Sequence, residues 1–81
     1  GESFGGKIVG ISPYGLRIRL NDWYVEGFLH VSYMTDDFYQ YNERTMRFYG
    51  SHTGSSFRIG QDITVRVDKV NLEDREIVFG I

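Results

Sequence analysis

The chain has 81 residues, a formal net charge of −2, two histidines and no cysteine. A single domain of that length buries only somewhat more than ~60% of the surface its unfolded chain exposes, which leaves little room for a deep catalytic cleft. The lack of cysteine excludes a disulfide framework, a zinc ribbon and thiol catalysis, two histidines argue against a histidine-rich metal site, and no apolar run is long enough to span a membrane.

The opening "GESFGGK" carries neither a signal-peptide core nor a methionine, so the chain reads as a cytoplasmic fragment or trimmed piece of a larger protein. From there apolar residues recur at period two and not at helical spacing. "FGGKIVGIS" (4–12) is a first strand, in which Gly5, Gly6 and Gly10 allow the bend a small barrel needs. "SPYG" (12–15) is a turn, with Pro13 suited to its second position and Gly15 to its last. "GLRIRLN" (15–21) points Leu16, Ile18 and Leu20 inward and Arg17 and Arg19 outward. "NDWY" connects onward, Trp23 and Tyr24 being expected to close one end of the barrel. "VEGFLHVSY" (25–33) is a third strand, with Val25, Gly27, Leu29 and Val31 on the core face and Glu26, Phe28, His30 and Ser32 on the other.

Residues 34–60 are too rich in Tyr, Phe and Arg for a disordered linker. "FYQY" (38–41) and "MRFYG" (46–50) flank "NERT" as a hairpin, and "GSHTGSS" (50–56) follows as a loop. The expected role of this stretch is packing onto the barrel wall, with Tyr39, Tyr41 and Tyr49 left ambiguous. "DITVRVDKV" (62–70) and "REIVFGI" (75–81), separated by the polar turn "NLEDRE" (71–76), are the fourth and fifth barrel strands. The pattern predicts an all-β fold: a five-stranded antiparallel OB-fold barrel with a long structured insertion between strands three and four, at about residues 34–60. Closure removes the edges that invite aggregation.

Pairing of strands two and three gathers Arg17, Arg19, Phe28 and His30 on one surface, beside Tyr14 in the turn. Single-stranded nucleic acid calls for this mixture of flat side chains for bases and cations for the backbone. The net charge argues against binding through bulk positive charge. Yet seven of the nine basic residues are arginine, whose planar fork can hold phosphate and stack on bases. Taken singly, each residue has a plainer reading: Phe28 packed under the connection, His30 as a structural hydrogen-bonding group, the arginines as solvated strand charges. Their coincidence on one face is what points to nucleic acid. Catalytic readings are weaker. Asp36 and Asp37 do not make a magnesium site without further ligands. "GSHTGSS" lacks the spacing of a phosphate loop, and Ser51 and His52 have no orienting acid.

"FGGKIVGISPYGLRIRLNDWYVEGFLHVS" resembles the opening of the RNA-binding domain named after ribosomal protein S-one, and "VRVDKVNLEDREIVFGI" its last two strands. "DDFYQYNERTMRFYGSHTGSSFRIGQDITVRV" is similar to the matching segment of bacterial ribonuclease R, of the ribonuclease II family. The resemblance implies the carboxy-terminal RNA-binding domain of such an enzyme. It would hold single-stranded or structured RNA with little sequence preference, beside the catalytic and cold-shock domains of the same parent chain. It further implies Tyr14 as the turn aromatic, Phe28 next to the binding surface, His30 as the binding histidine and Arg75 as a basic residue after the last turn. Arg17 replaces a second stacking aromatic, and Asn71 stands where many members have aspartate. A guanidinium can still stack, and an amide removes repulsion toward phosphate. Arg17, Arg19, Arg66 and Arg75 are the expected phosphate cations, with Asn71 beside them. No cofactor is expected in this domain. Magnesium would belong to the catalytic domain of a parent 3′-to-5′ hydrolytic exoribonuclease, and the fragment itself would not be an enzyme. Two other readings stand beside this one: an RNA-binding domain of a translation or transcription factor, and a protein-interaction module whose aromatic patch meets another polypeptide.

Overall fold

The computed structural model describes residues 2–23, 25–71, 73 and 76–81. In chain order its strands are β1 (Ser3–Ser12), β2 (Gly15–Leu20), β3 (Glu26–His30), β4 (Tyr39–Asn42), β5 (Arg47–Gly50), β6 (Ser56–Phe57), β7 (Asp62–Asn71) and β8 (Glu76–Gly80), with a 3₁₀ turn at Val31–Tyr33. Five of them close into a barrel in the order β1-β2-β3-β8-β7, and β4-β5-β6 form a separate three-stranded sheet.

Period-two patterning fills the barrel. Ile8, Leu16, Ile18, Leu20, Leu29, Val65 and Phe79 are buried and form its centre. Bulges between Ile8 and Gly10 in β1 and between Val67 and Lys69 in β7 add the local bending and twist that closure requires.

Three expectations about the barrel strands and their ends are corrected. The barrel is mixed, because β3 and β8 run parallel at Phe28 and Val78 while the other four seams are antiparallel. Geometry leaves no alternative: strand directions cannot alternate all the way round a ring with an odd number of members, so one seam must be parallel. The third strand ends at His30 and not at Tyr33, since the chain tightens there into the 3₁₀ turn closed by the Met34 N–H donating to the Val31 carbonyl at 3.1 Å. Trp23 closes nothing, being 61% exposed in the turn after β2; Tyr24 lies outside the described residues.

Residues 34–60 are not an appendage. Met34 and Phe48 are buried in the same core as the barrel residues, and Tyr39, Tyr41 and Phe57 pack against it. Ring centroids lie 5.3 Å apart for Tyr39 and Phe57 and 5.4 Å apart for Tyr41 and Phe48. The hairpin read in "FYQY" and "MRFYG" is present as β4 and β5, but the idea of a long insertion is unsupported, because the segment supplies part of the core.

Asp37 pins the loop that follows β5. Its carboxylate accepts the Thr53 hydroxyl at 2.6 Å and the backbone N–H groups of Phe38, Thr53 and His52 at 2.6, 2.9 and 3.1 Å. The Thr53 hydroxyl and these amides hold it well below the usual carboxylate range. The neighbouring Asp36 accepts a hydrogen bond from the Tyr39 hydroxyl at 3.0 Å. Burial first, and then this carboxylate, pushes the Tyr39 phenol up to about 12.

Candidate nucleic-acid interface

Backbone register determines which predicted residues meet. Across β2 and β3, Gly15 faces His30, Arg17 faces Phe28 and Arg19 faces Glu26. These odd-numbered β2 positions and even-numbered β3 positions all lie outside the barrel, opposite in parity to buried Leu16, Ile18 and Leu29. Gly15 permits the close approach, since a Cβ there would collide with the Leu29 carbonyl oxygen and its φ is +154°. The Val31 N–H donates to the Tyr14 carbonyl at 2.8 Å, which ties the 3₁₀ turn to the turn between β1 and β2.

Aromatic groups therefore gather at one end of this face. Phe28 and His30 meet edge-on with centroids 4.7 Å apart, and His30 meets Tyr33 edge-on at 6.0 Å. Tyr14 is 73% exposed and Tyr33 50%. Tyr33 was absent from the sequence-derived set. Its signal was the spacing from His30: residues three apart stack in a 3₁₀ turn, so a turn placed at "VSY" would have brought the two rings together. Next to Phe28 lies a shallow depression of about 160 Å³ lined by Gly10, Ile11, Ser12, Gly15, Arg17 and Phe28. Gly10 keeps its floor open, because a Cβ there would sit 3.3 Å from the Arg17 Cβ.

The predicted cations are not equivalent. Arg17 has no ion pair among the described residues. Arg19 is matched by Glu26, with Nη2 and Nε reaching one carboxylate oxygen at 2.9 and 3.3 Å. Arg66 lies across the barrel on β7, 3.9 Å from the Asp68 carboxylate. The Asn71 side chain accepts the Glu73 N–H at 3.1 Å and so shapes the turn after β7. Arg75 lies outside the described residues. The structure thus brings Tyr14, Arg17, Phe28 and His30 together, sets Arg19 beside them in an ion pair, and places Arg66 and Asn71 on the far side of β8. Among the described residues no three His, Asp or Glu side chains gather as a metal-binding set, and no helix is long and apolar enough to cross a membrane.

A closed five-stranded barrel of this order is consistent with an OB fold. The chain matches the S1 RNA binding domain over residues 1–81, and it belongs to that family. Among its relatives, ribonuclease R of Escherichia coli (strain K12) is 33% identical over 81 residues, covering 100% of this chain and 10% of the relative. Ribonuclease R of Vibrio cholerae is 33% identical over 79 residues, again with 10% of the relative covered. The chain therefore spans about a tenth of the length of the curated relatives it matches. Among solved structures, the apo form of Mycoplasma genitalium RNase R superposes with a TM-score of 0.89 at 20% identity, over 100% of this chain and 13% of that one. The same enzyme, solved in complex with ribose-methylated single-stranded RNA, gives the same TM-score. At that identity the likeness shows the fold.

Proposed function

We propose that this domain binds single-stranded RNA with little sequence preference through the outer face of β2 and β3. The observation that carries the reading is the run of Phe28, His30 and Tyr33 rings, half-buried at Phe28 and open at the other two, with exposed Tyr14 in the adjoining turn and Arg17 without an ion pair among the described residues. Tyr14 and Phe28 offer ring faces to bases, and Tyr33 adds a third. His30 hydrogen-bonds or stacks, and Arg17 neutralises phosphate or stacks through its guanidinium plane. Arg19 and Arg66 contribute less, since each has a carboxylate to leave first. Asn71, and Arg75 four positions later in the sequence, complete the set.

Family membership and the ribonuclease R relatives support a further step: the domain is the carboxy-terminal RNA-holding domain of a cytoplasmic 3′-to-5′ exoribonuclease. There it works beside catalytic and cold-shock domains, with magnesium in the catalytic domain. Fluorescence anisotropy with a labelled single-stranded polyadenylate tests the binding role. Micromolar to millimolar binding that weakens steeply with salt and drops in Tyr14→Ala is expected. Salt-insensitive capture of a polypeptide, with no RNA binding, would favour the protein-interaction reading instead. A flanking sequence without clustered aspartates would remove the nuclease assignment.

A further inference from the structure

Outward side chains on the barrel form three transverse rows, and their charges do not balance alike. In the row nearest Tyr14, Gly15 faces His30 on one side of the face and Gly80 faces Arg66 on the other. Here the Asp68 carboxylate lies over Gly80 and 3.9 Å from Arg66. In the row farthest from Tyr14, Lys7 faces Arg19, which faces Glu26. Lys7 pairs with Asp62 at 3.6 Å and Arg19 with Glu26 at 2.9 Å. Glu76, opposite Asn71, adds another anion at that level.

The middle row runs Gly10, Arg17, Phe28, Val78, Lys69. Neither of its two cations has an ion pair among the described residues. Lys69 owes its place to the β7 bulge: Val67 pairs with buried Phe79, Asp68 is the extra residue, and Lys69 then faces Val78. Without the bulge, alternation would aim Lys69 inward. Two apolar side chains are thus bracketed by an arginine and a lysine that have no ion pair among the described residues, about 14 Å apart along the sheet at ~4.8 Å per strand spacing.

We propose that this middle row is a phosphate–base–phosphate strip that carries the RNA across the barrel from β2 to β7, with Lys69 as its second backbone cation. The proposal rests on the single-stranded RNA reading and adds to it a direction and a residue. A polyanion gains most where positive charge is not already matched, and the rows above and below offer little of it. The aromatic group at Tyr14, His30 and Tyr33 borders the strip on one side, and the Glu26 and Glu76 level repels phosphate on the other.

Polyadenylate titrations of the 81-residue chain at several salt concentrations test this. Each lost phosphate contact lowers the slope of log affinity against log salt by about 0.7. Lys69→Gln is expected to lower the slope by that amount and to weaken binding several-fold at low salt, with Lys69→Arg restoring both. The double variant Lys7→Gln/Asp62→Asn removes one charge of each sign from the neighbouring row and should leave the slope unchanged. Thermal melts confirm that each variant is folded. If Lys69→Gln keeps the wild-type slope while Tyr14→Ala still loses affinity, the strip is wrong and the aromatic site stands. If the wild-type chain binds no RNA, the underlying reading falls and the strip falls with it.

Discussion

Tyr14, Tyr33 and Tyr49 are all tyrosines open to solvent, yet only the first two border His30 and the β2–β3 face. Tyr49 sits on the outer face of the small sheet, where its hydroxyl meets that of Thr45 at 3.3 Å. Tyr14→Ala and Phe28→Ala should each cost about 1–3 kcal/mol of RNA binding, the range for loss of one stacking platform. Tyr33→Ala should weaken binding as well, and Tyr49→Ala should not; anisotropy titrations compare the four directly. Equal losses at Tyr33 and Tyr49 would point to a nonspecific aromatic effect. That Arg17 and Phe28 share a face was legible in the sequence, because it needs only strand parity; that they sit directly opposite is set by the register. Tyr33 was not. Period two carried through "VEGFLHVSY" places it on the core side with Leu29 and Val31, and only the tightening after His30 brings it beside the imidazole.

At the scale of elements, the sheet of β4, β5 and β6 is held by a contact that alternation cannot reveal. Asp37 reaches Thr53 across sixteen positions of chain, and nothing in the pattern of "DD" tells which carboxylate will find four donors. Its depressed pKa makes a pH prediction with a definite sign. The ionised Asp37 stabilises the fold fully above its ordinary value of 3.8. That contribution shrinks as pH falls below this value, where the unfolded chain takes up a proton that the folded one refuses. Asp37→Asn should therefore melt well below wild type at pH 7, and the gap should narrow toward pH 3. Tyr39 has the opposite sign: its raised pKa means stability is present below pH 10 and lost as pH rises toward about 12. Two backbone positions test the local geometry. Gly15→Ala should destabilise by about 2 kcal/mol or more, through collision with the Leu29 carbonyl. Met46, exposed with φ +53°, should gain up to about 1 kcal/mol as Met46→Gly. Chemical denaturation measures both.

For the molecule as a whole, five barrel strands could be counted from alternation and turn residues, whereas their mutual directions could not. The parallel β3–β8 seam joins segments nearly fifty residues apart, and it follows from ring closure, which no local pattern encodes. That seam also decides the function proposed here, since it sets Val78 beside Phe28 and brings Lys69 to the same level. A chain of net charge −2 repels RNA at a distance, and the proposed face is where attraction would be local. Isolated affinity should be low, and linkage to neighbouring RNA-binding domains would raise it through effective concentration.

Whether RNA lies on the β2–β3 face is read most simply by an amide chemical-shift titration of the labelled domain with short single-stranded polyadenylate at low salt. Shifts concentrated at Tyr14, Arg17, Phe28, His30 and Tyr33 and extending through Val78 to Lys69 are expected, with the outer face of the small sheet silent. Shifts confined to residues 34–60, or none at millimolar RNA, would contradict the proposed interface.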